Sequence, residues 1–462
     1  MMKYFVSLLA ILISCAQADI KRPNIVLVMA DDQGWGDTGY NGHPFVQTPT
    51  LDAMSKAGLK LDRFYSASPV CSPTRASVLS GRNPMRSKVL NHGHYIRAEE
   101  ETLAELYQKA GYATGHFGKW HIGSVQKQSP VCPGNMGFDE WLTAPNFFDI
   151  DPWLSEKGQA KQFKGVSSEI VVEHSLKFIE KQVKADKSFF TVVWFSAPHS
   201  PHKVLAPENK LYEGKPSRAY FQEITEMDRT IGVLRDGIKE LGVRDNTIVW
   251  FCSDNGGLVK ESSGGRERKG SIYEGGLRVP SVIEWPNGIK PRSTSFPSFT
   301  SDMFPTLLDV CGIKRETNHP LDGITLKDLF QKEMSVRPGM AFWHHFTKGQ
   351  STFSDRIVKE IHDAQKKGVD IAIPVRIKKD IDQFPQYTKD SYEGHSAYLD
   401  WPWKLHYIKK KGAIHLELYH LENDPMESKD LSMTQIEKTE TLNKKLQNWH
   451  TSVFHSLNGH DY

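Results

Sequence analysis

Unbroken apolar runs alternate along the chain with segments of helical periodicity. Three runs lack polar alternation, which indicates strands buried on both faces: residues 25–29, 189–195 and 247–252. Four segments have the apolar spacing of helices: residues 50–57, 102–110, 168–183 and 222–241. Gly58 and Gly111 follow the first two as stop signals. This alternation predicts an α/β fold with a large, mainly parallel sheet sandwiched by helices.

The pattern changes from about residue 338 onward. Apolar segments at 401–406 and 416–419 suggest strands of a smaller sheet, and residues 433–449 have helical spacing. We therefore expect a large domain over residues 19–337 and a smaller C-terminal α+β subdomain over residues 338–462, built on a short antiparallel sheet.

Composition narrows the class of protein. The chain has 462 residues, 39% hydrophobic and 24% charged, which fits a folded protein of one large or two unequal domains. The net charge is only +3, and no block of like charge is long enough to bind nucleic acid. Lysines 409–411 stop at Gly412 and read as a solvated turn. We expect no nucleic-acid partner.

The N-terminus has the pattern of a secretory signal peptide. Lys3 precedes an apolar run over residues 5–13, and Ala16-Gln17-Ala18 forms a cleavage pattern before Asp19. The run is too short to span a bilayer, and no later stretch approaches the length needed. Residues 12–15 also fit a bacterial lipoprotein site, so an anchor at Cys15 competes with full release. We expect an exported protein, periplasmic or extracellular, with no transmembrane segment.

One cysteine stands in an unusual setting. Residues 71–75 read Cys-Ser-Pro-Thr-Arg, between an extended stretch and a helical one, and continue Ala-Ser-Val-Leu-Ser-Gly-Arg. Such a cysteine is usually buried or disulfide-bonded. Past the signal only Cys132, Cys252 and Cys311 accompany Cys71, so at most one disulfide can form if Cys71 is modified. Acidic and basic residues elsewhere in the chain, in positions suited to one shared site, favour a chemical role for Cys71.

Acidic residues follow two of the predicted strands directly. Asp31 and Asp32 come after the first, and Asp254 and Asn255 come after the strand at 247–252. Residues just past the carboxyl ends of parallel strands share one crevice. Their oxygens are hard ligands that suit Ca²⁺ or Mg²⁺, whereas zinc would require His or Cys. An Asp pair after a strand is more often a helix cap or turn, but this combination favours a metal site.

Basic residues lie in or beside three loops rich in glycine or proline. Lys119 and His121 belong to the first, His199 and His202 to the second, and Lys269 to the third. Loops that follow strands commonly carry binding and catalytic residues. Taken singly, each residue reads as a hydrogen-bonded turn residue or a solvated loop charge. Their joint occurrence favours groups that bind an anion and move protons.

Together these motifs resemble the type I, formylglycine-dependent sulfatases of the alkaline phosphatase-like superfamily, over residues 24–431. The resemblance implies that a maturation enzyme oxidises Cys71 to formylglycine, whose hydrated aldehyde is the nucleophile. A serine would be left as a sulfate ester, whereas a geminal diol can expel sulfate and regenerate the aldehyde. The resemblance also implies one calcium ion, with Asp31, Asp32, Cys71, Asp254 and Asn255 as its ligands.

The resemblance implies roles for the basic residues as well. Arg75 and Lys119 would hold the formylglycine diol, and His121 would deprotonate it during elimination. His199 and Lys269 would bind sulfate, and His199 would be the acid for the leaving alcohol. All of these residues are present in the matching motifs. Thr74 stands where serine is commoner in the family, which bears on recognition by some maturation enzymes.

Export and the resemblance together make a sulfated carbohydrate the expected substrate. His202 is a candidate substrate-subsite residue. Several aromatic and histidine side chains could face a sugar, although core packing is the safer expectation for each aromatic: Trp141, Trp153, Trp343, Trp401, Trp403, His344 and His345. Two alternatives remain open. One is a phosphate or phosphonate monoester hydrolase of the same superfamily, and the other is an inactive homologue that binds glycans.

Overall fold

The computed structural model describes residues 22–205, 207–369 and 386–462. The predicted signal peptide over residues 1–18 and the possible anchor at Cys15 lie outside these ranges. Within them, no helix combines the length and the apolar character needed to cross a membrane. The cysteines of this part of the chain, Cys71, Cys132, Cys252 and Cys311, are all free and buried.

The described residues form three sheets and nine α-helices. The strands are β1 Asn24–Ala30, β2 Leu59–Leu61, β3 Phe64–Tyr65, β4 Ala113–Lys119, β5 Glu140–Ala144, β6 Trp153–Glu156, β7 Gln159–Gln162, β8 Phe189–Trp194, β9 Thr247–Ser253, β10 Ser281–Glu284, β11 Arg292–Thr294, β12 Ser298–Phe299, β13 Met340–His345, β14 Gly394–Asp400, β15 Trp403–Lys410 and β16 Ala413–His420. The helices are α1 Pro49–Ala57, α2 Cys71–Ser80, α3 Leu103–Lys109, α4 Ser167–Lys184, α5 Arg218–Glu240, α6 Glu274–Leu277, α7 Met303–Cys311, α8 Ser354–Lys366 and α9 Ile436–Leu457.

The largest sheet has ten strands in the order β11-β2-β10-β9-β1-β8-β4-β5-β6-β7. Its five central strands, β9, β1, β8, β4 and β5, run parallel to one another. Antiparallel pairings of β10 with β9 and of β6 with β5 extend it on either side. The three runs without polar alternation are β1, β8 and β9, which all lie in the parallel centre. The predicted α/β class and mainly parallel sheet are confirmed.

Helices cover both faces of this sheet. Alternate residues of β1 point to opposite sides, so Leu27 joins one apolar cluster and Val28 joins another. The first cluster includes residues of α2, α3 and α7, and the second includes residues of α1, α4 and α5. Every residue of β1 is buried, which explains why its sequence shows no polar alternation.

The C-terminal part forms a second, antiparallel sheet in the order β13-β14-β15-β16. Helix α9 packs against β14 and β15. The prediction of a final helix at 433–449 placed both ends wrongly, since α9 begins at Ile436 and ends at Leu457. Val453, Phe454 and Leu457 continue its buried face beyond Trp449, which keeps the helix packed for two further turns. The domain boundary near residue 338 stays a prediction.

Candidate active site

The carboxyl ends of two neighbouring parallel strands bring the acidic residues together. Strands β1 and β9 pair in register, with Ala30 opposite Ser253, so the residues that follow them meet at one edge of the sheet. The Asp32 amide donates to Asp254 Oδ1 at 3.2 Å, and Asn255 Nδ2 donates to Asp32 Oδ1 at 2.7 Å. The structure therefore joins residues more than two hundred positions apart, as the strand pattern predicts.

Cys71 lies at the centre of this arrangement. It is the first residue of α2, preceded by the extended Val70, and only 3% of its surface is exposed. Its sulfur and one carboxylate oxygen each from Asp31 and Asp254 lie within 4.8 Å of one another. Burial raises the pKa of the Cys71 thiol, so the unmodified side chain is a poor nucleophile.

Arg75 extends from the next turn of α2 and is fully buried. Its Nη2 and Nε donate to Asp254 Oδ2 at 2.7 and 3.1 Å, and its Nη1 donates to the Lys119 carbonyl at 3.3 Å. The guanidinium carbon also lies 5.1 Å from the centre of the Trp194 ring. Arg75 therefore holds α2 and its first residue against the edge of the sheet.

Two lysines complete the charges of the site. Lys119 Nζ donates to Asp31 Oδ2 at 2.6 Å, and Lys269 Nζ donates to Asp32 Oδ2 at 2.7 Å. We call the six charged residues that meet here the sheet-edge cluster: Asp31, Asp32, Arg75, Lys119, Asp254 and Lys269. Its three carboxylates balance its three cations, so a bound divalent cation would give the cluster a net positive charge that attracts an anion.

Unpaired oxygens indicate where a cation would bind. Asp31 Oδ1 and Asn255 Oδ1 are buried without a hydrogen-bond partner among the described residues. Burial, followed by the nearby charge of Asp31, raises the pKa of Asp254. Burial is the largest single effect on Asp31 and opposes its ionisation, but the charges of Lys119, His199, Arg75 and Lys269 together outweigh it and lower that pKa. Buried hard oxygen atoms that lack a hydrogen-bond partner fit Ca²⁺ or Mg²⁺.

The two histidines predicted to move protons differ in their surroundings. His121 is buried with a positive φ of 56°, and neither ring nitrogen has a partner in the described part of the chain. Burial and the charge of Lys119 lower its pKa well below the usual value, so the ring is neutral and can accept a proton. His199 Nδ1 lies 2.6 Å from the Ser200 carbonyl, which leaves Nε2 at 3.7 Å from Asp32 Oδ2.

A cleft of about 780 Å³ opens above the sheet-edge cluster. Cys71, His121, His199 and Lys269 contribute to its wall. His202 does not line it: its Nε2 bonds to the Pro198 carbonyl at 2.9 Å, and its ring packs against Tyr220. Among the predicted site residues, His202 therefore lies apart from the others, and the geometry gives no support for its contact with substrate.

The cleft wall also contains residues that sequence reasoning missed: His92, Asn146, Phe147, Asp149, Lys203 and Arg356. They come from separate loops and from the start of α8, and none belongs to a recognisable motif. Trp141 and Trp343, considered as sugar-stacking residues, are buried in the core. None of the tryptophans considered for that role lines the cleft, where the aromatic residues are Phe147, Phe148 and Phe353.

Comparisons with known proteins identify the same family as the sequence motifs that form this site. A family model described as Sulfatase matches residues 23–313. N-acetylgalactosamine-6-sulfatase of Mus musculus is 31% identical over 363 residues, covering 68% of this chain and 68% of that protein.

Solved structures share the fold. The complex of Ps i-CgsB with k-i-k-neocarrahexaose superposes with a TM-score of 0.77 at 22% identity, covering 94% of this chain and 93% of that one. The phosphonate monoester hydrolase of Agrobacterium radiobacter superposes with a TM-score of 0.66 at 18% identity, covering 94% and 96%. At these identities the likeness establishes the architecture alone.

Proposed function

The chain belongs to the sulfatase family, and from this premise we propose that it removes sulfate from a sulfated carbohydrate, using a formylglycine made from Cys71 and one calcium ion. Its class as a sulfuric ester hydrolase confirms the prediction made from the motifs. The observation that carries the proposed formylglycine and calcium chemistry is the position of Cys71. This residue lines the cleft, and its sulfur lies within 4.8 Å of a carboxylate oxygen of Asp31 and of Asp254.

The proposed calcium ligands are Asp31, Asp32, Asp254, Asn255 and the modified Cys71. The unpaired oxygens of Asp31 and Asn255 support this assignment, because a buried oxygen without a partner destabilises the fold unless a ligand completes it. Bound there, calcium would neutralise negative charge on the sulfate ester. The oxygen-rich donor set favours calcium over zinc.

Two lysines are suited to different tasks at the site: Lys269 to binding the sulfate group, and Lys119 to holding the formylglycine diol. Lys119 Nζ is buried beside Asp31, and Lys269 Nζ reaches the cluster from the cleft wall, where its side chain is 22% exposed. Burial alone would lower the pKa of Lys269, but the negative charges around it, with Asp32 first, together outweigh burial and raise that pKa, so this side chain remains cationic. Arg75 is fully engaged with Asp254 and the Lys119 carbonyl. We assign Arg75 to holding the modified residue in place.

Two histidines are suited to move the protons. His121 is neutral, and neither of its ring nitrogens has a hydrogen-bond partner in the described part of the chain, which fits the base that takes a proton from the formylglycine diol. His199 donates from Nδ1 to the Ser200 carbonyl, so its Nε2 must carry a second proton before it can protonate a leaving alcohol. Burial lowers the pKa of His199, while the charges of Asp31 and Asp32 oppose that change and stabilise the protonated ring.

The carbohydrate assignment rests on the cleft and on the relatives. A volume of about 780 Å³ lies within the range of about 300 to 1,000 Å³ that is typical of ligand pockets. A relative is a sulfatase named for N-acetylgalactosamine, and a structural neighbour holds an oligosaccharide. An inactive, glycan-binding role is disfavoured because Cys71, Arg75 and the acidic residues are all in place.

We also propose export and maturation. The pattern at residues 1–18 supports a signal peptide and a periplasmic or extracellular location, and the motif at 71–75 supports conversion by a formylglycine-generating enzyme. The mass of the mature N-terminus, measured on protein from the native host, distinguishes cleavage before Asp19 from a lipid anchor at Cys15. An unprocessed N-terminus would contradict export through this segment.

The test of the proposed function is inorganic sulfate release from a panel of sulfated sugars and polysaccharides. The protein is co-expressed with a maturation enzyme, and peptide mass reports the conversion of Cys71. Phosphate and phosphonate esters serve as matched controls. We expect sulfate release from one glycan class in the presence of calcium. Release of phosphate without sulfate, or no release at all from converted protein, would overturn the proposal.

A further inference from the structure

His92 lies in the cleft wall and belongs to none of the motifs considered above. Hydrogen bonds connect its loop to two other segments of the chain. The Gly93 amide donates to Ser72 Oγ at 2.8 Å, which ties the loop to the residue next to Cys71. The Gln350 amide donates to the His92 carbonyl at 2.8 Å. His92 is therefore held in a fixed position relative to the proposed nucleophile.

The place of the ring depends on a glycine. A side-chain carbon at Gly349 would lie 2.1 Å from Cε1 of His92, much closer than any real contact. Gly349 thus leaves room for the imidazole where any other residue would displace it. The ring is half-buried and remains open to the cleft.

Asn91 determines which nitrogen of His92 carries the proton. Asn91 Nδ2 donates to the Thr347 carbonyl at 2.7 Å, which fixes the orientation of the amide group. Asn91 Oδ1 then accepts from the His92 amide at 2.8 Å and lies 3.1 Å from His92 Nδ1. An amide oxygen can only accept, so Nδ1 must donate.

The remaining nitrogen, Nε2, is consequently a hydrogen-bond acceptor. In the described part of the chain no hydrogen bond from Nε2 is found. Burial, followed by the charge of Lys269, lowers the pKa of His92, which agrees with a neutral ring. A lone pair repels a sulfate oxygen and attracts a hydroxyl group, so this atom is suited to an alcohol rather than to the anion.

We infer that Nε2 of His92 accepts a hydrogen bond from a hydroxyl group of the sugar that carries the sulfate. The inference rests on the proposed function and deepens it: His92 becomes a specificity-determining residue that separates sugar esters from esters without a ring hydroxyl. Discrimination against a substrate without this hydroxyl group is strong, because Nε2 of His92 is then left without a hydrogen-bond partner in the complex.

The test is a double-mutant cycle between protein and substrate. The substrate is the sugar sulfate that the wild-type enzyme desulfates fastest, together with analogues in which each ring hydroxyl is replaced in turn by hydrogen. His92→Phe keeps a ring against Gly349 and removes both nitrogens. For one analogue we expect the wild-type kcat/KM to fall by about 10- to 100-fold. The variant should show that loss with the parent sugar and no further loss with the analogue.

Two further variants make the result specific. His92→Gln keeps an acceptor and should recover part of the kcat/KM that His92→Phe loses. His94→Phe is a matched control, because His94 Nε2 bonds to the Lys348 carbonyl and its ring does not line the cleft. It should keep the wild-type response to every analogue.

The outcomes separate this inference from the proposed function. Equal sensitivity of wild type and His92→Phe to every analogue, with sulfate still released, overturns the role of His92 alone. An unchanged kcat/KM of His92→Phe on the parent sugar does the same. Absence of sulfate release by the converted wild-type enzyme overturns the proposed function and this inference together.

Discussion

Two of the buried charge clusters in the described part of the chain differ in how completely their polar atoms are paired. The sheet-edge cluster contains Asp31 Oδ1, which lies 3.7 Å from Arg75 Nη2 but has no hydrogen-bond partner among the described residues. Asn255 Oδ1 and both ring nitrogens of His121, which lie beside the cluster, also lack such a partner there. The second, which we call the subdomain cluster, joins the C-terminal sheet to α6 and comprises Glu274, His395, Lys404, His406 and Glu427.

Pairing in the subdomain cluster is complete. Lys404 Nζ lies 2.8 Å from Glu274 Oε1 and 3.1 Å from Glu427 Oε1. His406 Nε2 bonds to Glu427 Oε1 at 2.8 Å, and His395 Nε2 bonds to His406 Nδ1 at 2.8 Å. None of these five residues has an unpaired buried side-chain atom among the described residues.

The difference between the clusters indicates what each is for. Buried charges that satisfy one another hold two parts of a fold in register and need nothing more. Buried acceptors left without hydrogen-bond partners beside a cleft are costly, and a ligand completes them. Buried charge alone would not have told the functional cluster from the structural one, because both contain lysine, carboxylate and histidine.

The largest expected effect is a loss of activity without a loss of stability, at the residue beside the sheet-edge cluster that is proposed as the nucleophile. Cys71→Ala removes the proposed nucleophile while changing little volume in the core. We expect sulfate release to fall by at least about 10⁴-fold, because no other group can form the diol. The free energy of unfolding should change by no more than about 1 kcal/mol.

Cys132→Ala is the matched control, since Cys132 is also buried and free but does not line the cleft. It should keep wild-type turnover. Sulfate release by Cys71→Ala at a rate near that of the wild type would refute the assigned chemistry.

The subdomain cluster should respond in the opposite way. Lys404→Met leaves Glu274 and Glu427 buried without their cation, which should lower the free energy of unfolding by about 3 to 5 kcal/mol. Denaturant unfolding of the wild type and the variant measures the difference. Lys445→Met removes an exposed pair with Asp400 and should cost at most about 1 kcal/mol. Equal losses in both variants would remove the structural role assigned to the buried cluster.

Calcium tests the unpaired oxygens directly. We expect the wild-type protein dialysed against calcium to retain about one ion per chain by elemental analysis, and Asn255→Ala to retain much less. At a calcium concentration about 100 times the Kd, bound ion should stabilise the wild type by about 2.7 kcal/mol, and a chelator should remove that stabilisation. Asn135→Ala, at an exposed position, is the control. The same metal content in all three proteins would rule out this site.

The smallest expected difference concerns His199. His199→Ala should reduce turnover of alkyl sulfates about ten times more than turnover of aryl sulfates, because a poor leaving group depends more on a proton donor. The comparison requires kcat/KM on both ester classes for the wild type and the variant. Equal losses on both would assign His199 to sulfate binding alone.

Much of the fold was predictable because its signals are local. The central strands β1, β8 and β9 are continuous apolar runs, and each of their ends agrees with the prediction within one residue. The ends of α9 were not predictable from the sequence, because the buried face that extends this helix to Leu457 depends on contacts with the C-terminal sheet. Local pattern carries no information about that surface.

The candidate site divides in the same way. Asp31, Asp254, Cys71 and Lys119 stand in short motifs at or just past the end of a strand or at a helix start, and the structure brings them together. His92 gave no comparable signal, because its importance depends on Gly349 and Asn91 and on the place of its loop beside Ser72. His202 is the opposite case: it belongs to a motif, but its side chain bonds to the Pro198 carbonyl and does not line the cleft.

The sequence by itself determined the architecture, the family and the residue types available for chemistry, since apolar periodicity and short motifs are carried by neighbouring positions. Only the tertiary structure decided which buried polar atoms are left unpaired and which side chains face the cleft. Those properties depend on distances between residues far apart in the chain, such as Asp32 and Asn255 or His92 and Gly349. Packing of the whole sheet and its loops sets these distances, and no local pattern encodes them.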